Sequence, residues 1–145
     1  IKEAFDNFNN FVRRLVIRNK VTGLRNSYLL YYFISQLSLI QHAYFYLYKK
    51  YDERKPTKVA KSVLNTLAAM NRAYEALYDA FYKRELSLPH EARRAADEAV
   101  SSIQENLEKE KGFDCVLLGL LQNVGRSMAA ATTVLFGLHF EDPDK

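Results

Sequence analysis

The chain of 145 residues carries 48% hydrophobic and 26% charged side chains, ordinary values for a globular domain, and a single domain of this size buries about two-thirds of its unfolded surface. Five glycines and three prolines leave too few turn residues for a many-stranded sheet, and the lone cysteine, Cys115, excludes an internal disulfide and fits a reducing compartment. The net charge of +4 conceals an asymmetry, because residues 1–72 hold 13 Lys/Arg against 4 Asp/Glu (+9) and residues 73–145 hold 8 against 13 (−5). Such a split points to an acidic partner, to self-association of unlike ends, or to solvated faces that are merely basic early and acidic late.

In chain order, Phe5, Phe8, Val12 and Leu15 recur at three- or four-residue steps and predict a first helix, ending near Gly23, which can take the left-handed cap conformation. The next segment, "YLLYYFISQLSLIQHAYFYLYKKY" (28–51), holds nine Tyr or Phe residues. Ser35, Gln36, Ser38, Gln41 and His42 interrupt it too early for a bilayer span, which needs about 20 mainly apolar residues. At about 100° per residue, Leu29, Leu30, Phe33, Leu37, Ile40, Tyr44, Leu47 and Tyr51 share one face. Tyr28, Tyr31, Ser35, Ser38, His42, Tyr46 and Lys49 lie opposite. This second helix is amphipathic, capped by Asn26 or Ser27, with a polar face rich in tyrosine. That face packs against another helix of the domain or meets a partner, and Tyr28, Tyr31, His42 and Tyr46 are the candidate partner contacts.

Pro56 is expected to open a third helix along Val59, Val63, Leu67, Met70, Tyr74, Leu77 and Phe81. Ser87 caps a fourth, with Pro89 in its first turn and Ala92, Ala96, Ala99, Ile103 and Leu107 along its seam. A fifth runs from about Phe113 to Gly137 through Val116, Leu117, Leu120, Val124, Met128, Ala131, Leu135 and Leu138. No segment alternates with period two, so the predicted fold is all-α: an antiparallel helical bundle of about five helices in one domain, residues 1–145. A shorter helix, a glycine (Gly23 or Gly112) and a long apolar helix occur twice, over residues 2–51 and 88–139.

Few residues look like chemistry. A bundle metal site needs Glu and His on inward stripes, typically spaced Glu-x-x-His, and His42, His90 and His139 are scattered without such partners. Cys115 follows Asp114 in the first turn of the fifth helix, where a thiol can be activated, although a small buried apolar residue is the commoner reading. No glycine-rich phosphate loop is present. A non-enzymatic protein without a cofactor is expected. Gly119, Asn123, Arg126, Ala130 and Thr133 form a lane of mostly small residues that suits close helix approach, with Arg126 either an anion contact or a surface arginine. The remaining candidate anion or nucleic-acid contacts are Arg13, Arg14 and Arg18 on the first helix, with Lys20 and Arg25 beyond it, and Lys49, Lys50, Arg54, Lys55, Lys58 and Lys61 around the following connection.

The order of elements resembles the PhoU family of phosphate-signalling regulators, built from two three-helix repeats. "LSLIQHA" (37–43) and, more loosely, "VGRSMAAA" (124–131) stand where the family reads like "ERIADHA". "YEALYDAFYKRE" (74–85) and "EARRAADEAVSSIQENL" (91–107) resemble the first and second helices of its second repeat. The resemblance implies a partial first repeat (1–51) with its first helix missing, a second repeat (56–139), and a chain that is a piece of a longer one. The family's metal-binding carboxylates fall on Leu37, Gln41, Val124 and Met128, so its metal site does not carry over. What it implies is a cytoplasmic regulator acting by protein contact, as the sensing or dimerising part of a phosphate-responsive transcription regulator. The competing reading is a small all-helical nucleic-acid-binding subunit using the basic N-terminal half. No membrane insertion and no small-molecule substrate are expected.

Overall fold

The computed structural model describes residues 2–18, 27–83, 85 and 87–140. The expected caps at Gly23 and Asn26, the basic residues Lys20 and Arg25, and the side chains of Phe5 and His139 lie outside the described residues. Within them the protein is all-helical: α1 (Lys2–Ile17), α2 (Ser27–Arg54), α3 (Lys61–Lys83), α4 (Ser87–Leu107) and α5 (Phe113–Phe140). No helix among these residues is long and apolar enough to cross a membrane.

The α2–α3 connection departs from expectation. Pro56 does not open α3; the helix begins at Lys61. Lys55 ends α2 with φ at 45°, its N–H donating to the Tyr51 carbonyl at 2.8 Å. The Ala60 N–H then donates to Asp114 Oδ1 at 3.1 Å, and the Ala60 carbonyl accepts from Val63 and Leu64. The carboxylate at the start of α5 thus holds the residue before α3 and sets where the helix starts. Ser62 Oγ adds a 2.6 Å bond to Glu110 Oε1 from the α4–α5 turn, where Gly112 has φ at 64°.

Helices α3, α4 and α5 pack mutually, α2 docks on α5, and α1 docks on α2 alone. Helix α5 is therefore enclosed by three neighbours, and Leu117, Leu118, Leu121, Val124, Met128, Ala131, Val134 and Leu135 are all buried. This corrects the single stripe expected for α5: Val116 is 48% exposed, while Leu118 and Leu121 are fully buried. On α4 the expected alanine seam is buried as read, with Ala92, Ala96, Ala99 and Ile103 at most 2% exposed. On α3 the seam rotates to Val63, Thr66, Met70, Ala73, Leu77 and Ala80, and Tyr74 turns outward. Small side chains win the inner face because α3 and α4 lie close together.

Of Gly119 in the small-residue lane and Gly125 beside it, only Gly125 permits a close crossing. A Cβ on Gly125 would stand 2.5 Å from Val100 Cγ2 and 2.8 Å from Met70 Cε, whereas one on Gly119 would meet nothing within 4 Å. Val100 is β-branched and stiff at χ1, so it has little freedom to yield. Gly125→Ala is expected to cost about 1–3 kcal/mol by overpacking. Gly119→Ala is expected to stabilise by up to about 1 kcal/mol, the helix-propensity difference. Urea denaturation of the two variants reads both signs, and equal shifts would rule out the tight crossing.

Candidate functional site

Helices α2 and α3 both lean on α5, but their backbones do not approach each other. Large side chains span the gap instead. Phe33 and Phe81 stack with ring centroids 5.0 Å apart and an interplanar angle of 4°. Midway along, the Tyr44 hydroxyl donates to Asn71 Oδ1 at a long 3.5 Å. The result is a groove in two chambers. The chamber at the end of α2 has a volume of about 540 Å³ and is walled by Tyr44, Leu47, Tyr48, Tyr51, Val59, Val63, Leu64 and Leu67, with Leu117 and Leu121 as floor. The other, about 200 Å³, lies among Phe33, Leu37, Tyr74, Leu77, Tyr78, Phe81 and Tyr82. Its rims keep large apolar groups in solvent: Tyr48, Tyr51, Leu64, Tyr74, Tyr78 and Tyr82 are all 42–68% exposed. A depression lined by His90, Arg93, Asp97 and Glu98 is built by α4 alone and is that helix's solvated face.

Helix α1 meets α2 through polar groups. Asn9 Nδ2 donates to Ser38 Oγ at 3.1 Å, both residues being buried. His42 Nε2 lies 3.0 Å from Asp6 Oδ1, and the Arg13 guanidinium sits over the Tyr31 ring at 5.7 Å. Among the described apolar side chains of α1, only Val16 is fully buried. Phe8, expected in its core stripe, is 62% exposed, because the register that satisfies Asp6, Asn9 and Arg13 turns the Phe8 side away from α2. Arg13 Nε is buried without a hydrogen-bond partner, which weakens the seat further.

The candidate residues therefore separate. Tyr31 and His42 lie under α1, as intramolecular packing of the α2 polar face would have it. Tyr28 is 85% exposed at the start of α2, and Tyr46 is 46% exposed with its ring edge-on to Phe45. The basic candidates form no single patch. The Arg13–Tyr31 contact places Arg13, Arg14 and Arg18 at the start of α2. Lys49, Lys50, Arg54 and Lys55 stand at its end, about 27 Å away at 1.5 Å per residue. Lys49 and Lys50 already reach Glu53, at 3.8 and 3.1 Å. Arg126 is exposed on α5, beside the lane in which Arg93 of α4 bonds Thr133 Oγ1 at 3.1 Å. No group of three or more His, Cys, Asp or Glu placed to hold a metal occurs among the described residues, and Cys115 is half-buried.

Sequence reasoning missed the α3 wall. Tyr74, Tyr78 and Tyr82 recur at four-residue steps, and an aromatic row of that kind on a second helix was the available signal.

Burial, and secondarily the neighbouring Tyr74, push the Tyr44 phenol above its ordinary value of 10.0. Unfolded Tyr44 ionises near 10.0 and folded Tyr44 higher. Its stabilising contribution is thus complete below that pH and is lost as pH rises through the folded value. Tyr44→Phe is expected to flatten the decline in stability above pH 10.0, measured by urea denaturation in an alkaline series. At the other contact, Asn9→Ala leaves Ser38 buried and unpaired, at a cost of about 1–3 kcal/mol. Amide exchange should quicken in α1 while α3 to α5 keep their protection; a uniform change would mean that α1 is integral to the core.

Comparison of the chain with protein-family models, with curated proteins and with solved structures finds no match, so its function is argued from the groove.

Proposed function

We propose that this chain is a non-enzymatic protein-interaction module whose groove between α2 and α3 receives an amphipathic helix of a partner. The observation that carries this is the apolar groove itself, two chambers with tyrosine-rich walls and solvent-exposed rims. From Phe33 to Tyr51 it runs about 27 Å, room for about five turns of helix at 5.4 Å each. Helix-in-groove recognition asks for apolar pockets at helical spacing, and tyrosines supply large contact area at low entropic cost. The PhoU resemblance sets this module in phosphate-responsive transcription regulation. In its support, the α1–α2 hairpin packs through α2 onto a complete three-helix unit, α3–α5. The nucleic-acid reading draws less support, since the basic residues fall at opposite ends of α2 rather than along the apolar groove.

A photo-reactive phenylalanine analogue in place of Tyr48 or Tyr78, in the protein expressed in its own cells, tests the proposal. Covalent adducts to a protein are expected from both positions. A control at Glu98, exposed on α4, should yield few. Equal yields from all three, or none from the groove, would reject it.

A further inference from the structure

We propose that the helix seated in the groove is α1 of a second copy of this chain. The inference rests on the groove being a helix-binding site. It begins from the inverted placement of α1. That helix turns Asn9, Asp6 and Arg13 inward, on Ser38, His42 and Tyr31, and leaves an apolar stripe largely uncovered by the other described residues. The stripe is Ala4, Phe8, Phe11 and Leu15, at four-, three- and four-residue steps. Ala4 is exposed, Phe8 is 62% and Phe11 58% exposed, and Leu15 is half-buried. It lies about 150° around the helix from the face on α2, at about 100° per residue. Phenylalanines held in this way along one face of a helix mark an interface rather than a solvated surface.

Length and charge indicate which groove it fits. The 16 residues of α1 extend about 24 Å, against about 27 Å for the groove. Helix α3, which walls the groove, has exposed Lys55, Lys58 and Lys61 at or just before its start and Glu75, Asp79 and Glu85 toward its end, none of them lining either chamber. Asp79 already pairs with Lys83 at 2.8 Å, so Glu75 and Glu85 carry most of that field. Helix α1 has the complementary order, with Glu3 in its first turn and exposed Arg14 and Arg18 at its end. Matching the charges seats α1 parallel to α3 of the other copy, with Phe8 and Phe11 facing the tyrosine walls. The uneven charge along the chain then serves self-recognition, its basic first helix meeting the acidic end of α3. Because every copy carries both the helix and the groove, the contact can be made twice in a two-fold pair.

Sedimentation equilibrium over a concentration series is the test. Reversible association is expected. Phe8→Asp, and separately Tyr78→Asp, should each weaken it about tenfold or more, as loss of a central aromatic contact does. Both residues are exposed in the single chain, and unchanged circular dichroism will show that the variants fold. The decisive sample is the mixture. One variant retains an intact groove and the other an intact α1, so mixing them restores association that neither shows alone. A chain that is monomeric throughout, a Phe8→Asp variant that associates as tightly as the unchanged chain, or a mixture that associates no more tightly than either variant alone overturns the proposal. A monomeric chain whose Tyr78 position still cross-links to a different protein removes the second copy but keeps the groove as a helix site; absence of both removes both.

Discussion

Enclosure of α5 is the constraint from which the other features follow. Gly125 lets Val100 of α4 and Met70 of α3 approach the α5 backbone to a distance at which no side chain fits. With α3 and α4 drawn in on one side, α2 packs along another face of α5, with Leu29 against Gly137. Helices α2 and α3 seat on faces of α5 that hold their backbones apart. They splay, and Phe33, Phe81 and Tyr44 reach across. The groove is a consequence of packing geometry, and its chemistry is that of the residues long enough to span it.

The same geometry explains why tyrosine is the side chain used. At the bottom of the groove a ring must fill apolar space, while at its lip it must tolerate water, and the phenol does both. Tyr44 marks the crossover: its ring is half-buried, its hydroxyl finds Asn71, and burial disfavours its charged form. Further out, Tyr78 and Tyr82 pack on each other at 4.5 Å between centroids while remaining mostly in solvent. Such pre-packed rings would lose little further freedom in any contact made there.

Helix α1 is built by a different rule. Its contact with α2 is a short polar list, and one of its buried groups, Arg13 Nε, has no partner. Hydrogen bonds of this kind contribute about 1 kcal/mol each in net terms, so α1 belongs to the low end of the stability distribution in this fold. A helix held by polarity and bare on its apolar side suits recognition better than it suits core building. Helix α1 pairs with α2 as α4 pairs with α5, while α3 packs on both α4 and α5.

Local patterning determined the helices themselves: five periodic segments, the Ser87–Pro89 start, the Gly112 turn and the alanine seam of α4 are all legible in the residues, because each depends on neighbours within a turn. Periodicity also ruled out a bilayer span for residues 28–51. What it misjudged were faces. Tyr74 and Phe8 sit at apolar spacing and read as core, yet both turn outward, since Ala73 and Ala80 fit the tight α3–α4 contact better and Asn9 finds Ser38. The groove was beyond the sequence for a related reason. It is made by residues about thirty to fifty positions apart on two helices that barely touch, and their separation is set by a third. A periodic stripe states that a helix has a side to bury; only the competition of α2, α3 and α4 for the surface of α5 decided which sides were buried and which remained open.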